Sequence, residues 1–384
     1  MQVLYLVEGF TDIRFVVGLS QICDLTMLVP SRQFRESELA QRVAESGAKL
    51  RVVEIPGARL QFQFRSIGAL WRHAGGCDLI LSQEVLRGSL NANIIGRLRR
   101  KPVVTYMGIS PLEYFQCRRE RRQLGAVTSW LGSTLIRTLA AVNGRLATRC
   151  LAMGPYLCEV ASGWCARSEI GLYYGVDVDL FRPADADERA QLRRRLKLPA
   201  GKFLIMLSSR ISHEKDPETV VRAVAIARSR GLDAVLVNLG GGHREFLALP
   251  ARLSIQDAAS WLFARPAVHP MKDLADYFRA ADALALASLV EGAAYSTLEA
   301  LACGVPVVAT AVGGMAVQLR GYASLTPRQD SAAMADAFLA IALNPDAARA
   351  QALLGREYVC REWNRQKAFG DLAVVLRAVA NQRH

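Results

Sequence analysis

Two carboxylates, Glu291 and Glu299, stand with seven residues between them in the stretch Ala283–Thr310, ALALASLVEGAAYSTLEALACGVPVVAT. The stretch opens as the apolar run of a buried strand and breaks at Glu291-Gly292. A helix carrying Glu299 follows, stops at Gly304-Val305-Pro306, and gives way to a strand over Val305–Thr310. The two acids therefore straddle a strand-to-helix turn. Ionised carboxylates only accept hydrogen bonds, so they suit hydroxyl donors. A helix N-terminus offers unpaired N–H groups and the positive end of a dipole, which suit phosphate. Gly292, Ala293 and Ala294 carry almost no side chain and would let a ligand approach the backbone. The chemistry implied is the binding of a ligand that offers phosphates and sugar hydroxyls together. The plainer alternative is a loop glutamate and a helix glutamate that both face solvent. The buried strand, the small-residue turn and the GVPVVAT exit occurring together favour the site.

Such a turn must be held by a sheet. In the first half, Val3–Val7, Leu25–Pro30, Leu50–Ile55, Leu79–Ser82 and Val103–Tyr106 read as strands. Helical patterns such as Glu36–Ser46 and Ile94–Arg100 lie between them. The second half repeats this with Phe203–Ser208, Ala234–Leu239, Ala283–Ala287 and Val305–Thr310. Asp216-Pro217 opens a helix through Arg230, with Asp as N-cap and Pro in the first turn. The alternation predicts an α/β protein with parallel sheets covered by helices. The boundary falls near Tyr174–Asp187, and the two sheet domains are expected to face each other across a cleft. Ligands of such sheets bind at the carboxyl ends of the strands, where the glutamates sit.

The block E-G-x-x-x-x-x-L-E-A-x-A-C-G-V-P-V-V-A-T resembles the donor-site signature of family 4 glycosyltransferases. Other matches follow in order over roughly residues 171–330. Tyr174-Gly175-Val176-Asp177 with Phe181-Arg182-Pro183 resembles the family's linker. Arg210 and Lys215 in SSRISHEKD resemble the Arg and Lys used against the nucleotide diphosphate. VLVNLGGG, ending at Gly242, and LADYFRAADA, ending at Ala283, resemble the strand–glycine turn and the helix that precedes the signature.

The resemblance implies the GT-B fold, two Rossmann-like parallel-sheet domains facing across a cleft. On that basis residues 1–172 form an acceptor-side domain, 173–187 a linker and 188–358 the nucleotide-sugar domain; residues 359–384 form a helix crossing back. Arg210 and Lys215 would bind the pyrophosphate, and Glu291 would hold the sugar hydroxyls; these three are the expected catalytic residues. Glu299 would hold the ribose, and the backbone of Gly292, Ala293, Ala294, Tyr295 and Ser296 would face the phosphates. The family implication is sugar transfer from a nucleotide-diphosphate sugar with retention of configuration, no cofactor and no metal. Gly9 and Gly108 are the expected acceptor-side positions.

Several positions depart from the family pattern. Met107-Gly108 stands where many members carry a His, so that imidazole is either missing or supplied from elsewhere. Ala294 replaces a common Gly, Tyr174 a common Asn, and Ala316-Val317-Gln318 a usual acid. Asp177-Val178-Asp179 has an Asp-x-Asp form but lies in the linker match, and Gly240-Gly241-Gly242 lacks the dinucleotide fingerprint.

Composition sets the remaining bounds. A chain of 384 residues with 51% hydrophobic and 22% charged residues is globular and long enough for two domains. The N-terminus reads as a first strand and not a signal peptide, and no run of 18 apolar residues appears. Eight scattered cysteines without a Cys-x-x-Cys pair point to a reduced, cytoplasmic protein without a zinc site. The net charge is +13, and residues 97–149 hold eleven Lys and Arg against Glu113 and Glu120. Such a patch implies an acidic partner.

Leu124, Val127, Leu131, Leu135, Leu139, Val142 and Leu146 form one apolar helical stripe, preceded by Arg118, Arg119, Arg121 and Arg122. It reads either as an interfacial helix on anionic lipid or as a helix packed on the sheet behind a solvated basic lead-in. The basic helix tilts the acceptor toward a lipid-linked or cell-envelope glycan, with the protein peripheral at the inner face of the membrane. The alternatives are a nucleotide-sugar epimerase or hydrolase, or a membrane- or nucleic-acid-binding protein without turnover. The absence of interleaved aromatic and basic residues argues against nucleic acid.

Overall fold

The computed structural model describes residues 1–9, 11–36, 39–122, 125–265 and 271–382. The chain divides into two compact units, residues 1–119, 123–175 and 366–384 in one and 120–122 and 176–365 in the other.

The first unit is built on seven parallel strands: β1 (Gln2–Leu6), β2 (Asp24–Pro30), β3 (Leu50–Ile55), β4 (Leu79–Ser82), β5 (Val103–Met107), β6 (Arg149–Ala152) and β7 (Ser168–Ile170). Their order is β3-β2-β1-β4-β5-β6-β7. Helices α1 (Ile13–Ile22), α2 (Ser31–Glu36), α3 (Leu39–Glu45), α4 (Arg59–Ala74), α5 (Arg87–Leu98), α6 (Pro111–Arg122), α7 (Ala126–Leu146) and α8 (Pro155–Ser162) connect them. The central strands are buried along nearly their whole length, which is why they read as continuous apolar runs. Phe62, Ala69, Leu70 and Ala74 of α4, with Ala92 and Ile95 of α5, pack on Leu4, Leu28 and Ile80 of the sheet.

The second unit repeats the plan with six parallel strands: β8 (Phe203–Leu207), β9 (Ala234–Asn238), β10 (Leu262–Ala264), β11 (Ala283–Leu286), β12 (Val307–Thr310) and β13 (Ser324–Thr326). Their order is β10-β9-β8-β11-β12-β13. The helices are α9 (Ala186–Arg195), α10 (Pro217–Ser229), α11 (His243–Arg252), α12 (Met271–Ala280), α13 (Tyr295–Ala302), α14 (Gly313–Gln318), α15 (Ser331–Leu343) and α16 (Pro345–Glu362). The last helix, α17 (Arg365–Ala380), joins the first unit, where a Cβ on Gly18 of α1 would strike the Phe369 ring. Two Rossmann-like sheets of this order are consistent with the GT-B architecture.

Local sequence accounts for the elements near the glutamates. Asp216 caps α10 by accepting from Thr219 N (3.3 Å) and Thr219 Oγ1 (2.6 Å), and Pro217 occupies the first turn. The strand expected over Val305–Thr310 begins at Val307, because Gly304 (φ +66°) and Pro306 shape the turn out of α13. The stripe on α7 does not run along a buried face. Val127, Leu131 and Leu135 are exposed, and the helix buries Ser129, Ala140 and Asn143 instead. Leu124 lies outside the described residues.

Candidate functional site

In the second sheet the chain reverses direction of winding between β8 and β11, which are neighbours. Ligands of open α/β sheets bind outside the carboxyl ends of the strands at such a switch point. The loop after β8 carries Arg210 and Lys215, and the loop after β11 carries Glu291. A backbone bond from Leu289 N to Glu214 O (2.8 Å) ties the two loops together.

Lys215 Nζ is in direct contact with Glu291 Oε2, and both side chains are largely buried. Ser288 Oγ donates to the same carboxylate oxygen (3.1 Å), while Thr310 Oγ1 donates to Ser288 O (2.7 Å) and fixes that residue against β12. Gly314 N, in α14, donates to Glu291 O (2.9 Å). Glu291 is thus held at its side chain and at its backbone. An ammonium has three N–H donors, so the bond to Glu291 leaves donors on Lys215 for anionic oxygens. Arg210 pairs with Glu214 (3.3 Å), and its side chain is 63% exposed. Burial opposes ionisation of Glu214, but backbone hydrogen bonding and the Arg210 charge together hold its carboxyl below the usual range. Behind this loop, Ile211 N donates to Gly241 O (2.9 Å), and a Cβ on Gly240 would lie 1.8 Å from Ser209 O. The glycine turn after β9 therefore serves as the backing of the cationic loop. Ser209 Oγ and His213 Nε2 are buried in this loop without a hydrogen-bond partner among the described residues.

The turn after Glu291 differs from the open backbone that small residues suggested. Gly292, Ala293, Ala294 and Tyr295 are buried, and only Ser296 of the five is partly exposed. The cause is α14. A Cβ on Gly314 would come 1.7 Å from Gly292 O, so the glycine lets the helix lie directly on the turn. Gln318 Nε2 reaches Ala294 O (3.3 Å) and Thr297 Oγ1 (3.2 Å) from the same helix. Thus Gln318, where an acid was expected, pins the first turn of α13. No side chain caps that N-terminus at Ala294. Glu299 lies in the second turn of α13 and is only 3% exposed. Ser288, Glu214, Gly240, Gly314 and Gln318 were not visible as site residues in the sequence. Only the doubled glycines after strands gave a signal for them.

In the first sheet the corresponding switch lies between β1 and β4. Gly9 follows β1, and a Cβ there would come 2.8 Å from Glu84 Oε1. Gly108 follows β5 beside the buried Met107, near Met153. Glu8, after β1, accepts from Gly88 N (2.8 Å) and pairs with Arg87 (3.2 Å). Sequence reasoning did not single out this carboxylate pair. Burial first, and then the Glu8 charge, lifts the Glu84 carboxyl from 4.5 to about 7. The folded state therefore binds the extra proton between those values, and stability present below the lower one is lost as pH rises through about 7. Glu84→Gln removes that loss. The variant should match the parent at pH 5 and exceed it at pH 8 by on the order of 2 kcal/mol in urea unfolding. Parallel pH profiles for the two proteins would refute this.

Of the arginines before α7, Arg118 lies over the Tyr114 ring, Arg119 bonds Ser129 Oγ, and Arg121 is exposed. The Arg122 side chain lies outside the described residues. None of the eight cysteines, all among the described residues, forms a disulfide. Among the described residues, no group of three or more His, Cys, Asp or Glu could hold a metal ion.

These features define a class: a GT-B-type pair of sheets whose second member sets a Lys, an Arg and an acid at its switch point. Residues 188–356 match the family described as glycosyl transferases group 1. The chain is 34% identical over 205 residues to the D-inositol 3-phosphate glycosyltransferase of Saccharomonospora viridis, covering 50% of this chain and 46% of that protein. It is 36% identical over 182 residues to D-inositol 3-phosphate glycosyltransferase 1 of Catenulispora acidiphila, covering 44% and 42%. The chain spans about half the length of the curated relatives it matches. Among solved structures, Anabaena HepE in complex with UDP-glucose aligns with a TM-score of 0.78 at 17% identity, over 98% of this chain and all of that one. Sucrose-phosphate synthase of Thermosynechococcus elongatus aligns with a TM-score of 0.77 at 20% identity, over 98% of both. At these identities the likeness is one of fold.

Proposed function

We propose that the chain is a glycosyltransferase that moves a sugar from a nucleotide-diphosphate sugar to an acceptor, with retention of configuration and without a metal. The observation that carries this reading is the Lys215 contact with Glu291 at the switch point of the second sheet. A cation that meets diphosphate oxygens and a carboxylate that meets sugar hydroxyls are there in reach of one ligand. Negative charge grows on the diphosphate as the glycosidic bond breaks, and Lys215 and Arg210 are placed to stabilise it. Glu291 orients the sugar ring, and Glu299 serves the ribose. With Gly292 to Tyr295 buried, Ser296 and the uncapped N-terminus of α13 are the part of the turn that favours the phosphates. Gly9 and Gly108 mark the acceptor side. The acceptor is a lipid-linked or cell-envelope glycan, handled by a cytoplasmic protein that is peripheral at the membrane.

A panel of nucleotide sugars tests the donor. UDP-glucose heads it, because HepE was crystallised with that molecule. The true donor should raise the melting temperature in proportion to its binding, since a ligand of the folded form alone stabilises it. Nucleotide release that occurs only with an acceptor supports transfer. Release or conversion without any acceptor supports the epimerase or hydrolase alternative. Failure of every nucleotide sugar to stabilise the protein would remove the donor reading.

A further inference from the structure

Helix α4 carries two apolar faces. One, with Phe62, Leu70 and Ala74, is buried against the first sheet. The other runs Leu60, Phe64, Ile67 and Trp71 in helical steps and faces outward, 69%, 75%, 40% and 45% exposed. A stripe of large apolar side chains left outside a well-packed helix marks a contact surface. It adjoins the neighbouring helix α5. Asn91 of α5 donates to Gln63 O of α4 (2.8 Å), and Asn93 of α5 bonds Asn143 of α7 (2.8 Å). On α5, Ile94 and Leu98 are exposed as well.

The charge along these segments is basic, with Arg87 and Arg149 paired to Glu8 and Glu169 from outside them. Residues 59–74, 87–101 and 125–149 contain eleven Lys and Arg and no Asp or Glu. Arg65 and Arg72 bond backbone carbonyls of Pro56 and Gly68, and among the described residues no arginine of α4 forms an ion pair. Arg99 lies over the Trp71 ring, 4.1 Å from its centroid, and donates to Trp71 O (2.7 Å). The ring and the guanidinium thus form a single amphipathic unit of the kind that suits a membrane–water boundary.

We infer that the outer face formed by α4 and the adjoining α5 docks on an anionic lipid surface. Self-association through this face would be isologous and would set arginines against arginines with no carboxylate between them. A nucleic acid would answer the charge but offers no apolar layer for Leu60, Phe64 and Leu98. An anionic bilayer answers both, with headgroup phosphates at the level of the arginines and acyl chains beneath. The site is distinct from the arginine lead-in before α7, and it does not rest on the donor chemistry of the second unit.

The test is co-sedimentation of the full chain with vesicles of mixed phosphatidylglycerol and phosphatidylcholine, and with phosphatidylcholine alone, without any nucleotide sugar. The expected result is salt-sensitive binding to the mixed vesicles and much weaker binding to phosphatidylcholine. The double variant Phe64→Ser, Trp71→Ser should bind at least about tenfold less, with an unchanged far-UV circular dichroism spectrum, because both side chains are exposed. Arg65→Glu with Arg72→Glu should lose the preference for phosphatidylglycerol. Lys215→Ala should bind vesicles like the parent, which separates this inference from the donor reading. Equal binding by the double variant, or equal binding to both vesicle types, would overturn it. So would a lipid-free parent that sediments as a dimer and becomes a monomer on Phe64→Ser, or duplex DNA bound more tightly than the mixed vesicles.

Discussion

Lys215→Ala is expected to lower transfer from the nucleotide sugar about a hundredfold, equivalent to about 3 kcal/mol of transition-state stabilisation. Two losses combine. The departing diphosphate loses a preorganised cation, and Glu291 loses the ammonium that touches its largely buried carboxylate. Steady-state kinetics with the donor identified by thermal shift provide the measurement. Arg210→Ala should act in the same direction, since its exposed guanidinium is free to turn from Glu214 toward phosphate oxygens. Glu291→Ala should lower kcat, and Glu299→Ala should mainly raise KM. Equal and mild effects at all four positions would contradict the assigned roles.

Gly314→Ala should have the largest effect on stability, a loss of roughly 3 kcal/mol or a visibly rearranged turn. The added Cβ would fall 1.7 Å from Gly292 O and 2.7 Å from the carbonyl carbon. Both are backbone atoms, so no rotamer change relieves the clash. Either α14 lifts off or the turn after Glu291 moves, and the bond from Gly314 N to Glu291 O (2.9 Å) is strained in both cases. Urea unfolding measures the stability, and donor-induced thermal stabilisation reports the geometry of the turn. A variant with parental values for both would show that this turn is pliable and that packing by α14 does not set the site.

The two effects reflect different kinds of information in the chain. Signals confined to one segment were legible. The strand before Glu291, the helix starting at Tyr295, and the Asp216-Pro217 start of α10 follow from local apolar runs, capping and turn residues. Four of the shortest strands, lacking a clear apolar run, were not. β6, β7, β10 and β13 hold too few side chains to show a period, and they exist because longer neighbours offer them an edge to pair with. Periodicity also failed to tell direction. The stripe of α7 was visible, yet its first half faces out while Ser129 and Asn143 face in. Asn143 turns inward because it bonds Asn93, Leu86 O and Leu139 O. The outward stripe of α4 went unread because a second apolar face on the same helix masks it.

By itself the sequence determined the parallel α/β character of both halves, the strand-to-helix turn between Glu291 and Glu299, and the excess of basic residues over 97–149. Each is a property of near neighbours, set by side-chain period, caps and composition. The tertiary structure alone decided that Lys215 meets Glu291 across 76 residues of chain, and that Gly314 and Gln318 close over the turn. The physical reason is the strand order. Pairing β8 with β11 brings two distant loops to one switch point, and no local rule encodes which strands become neighbours.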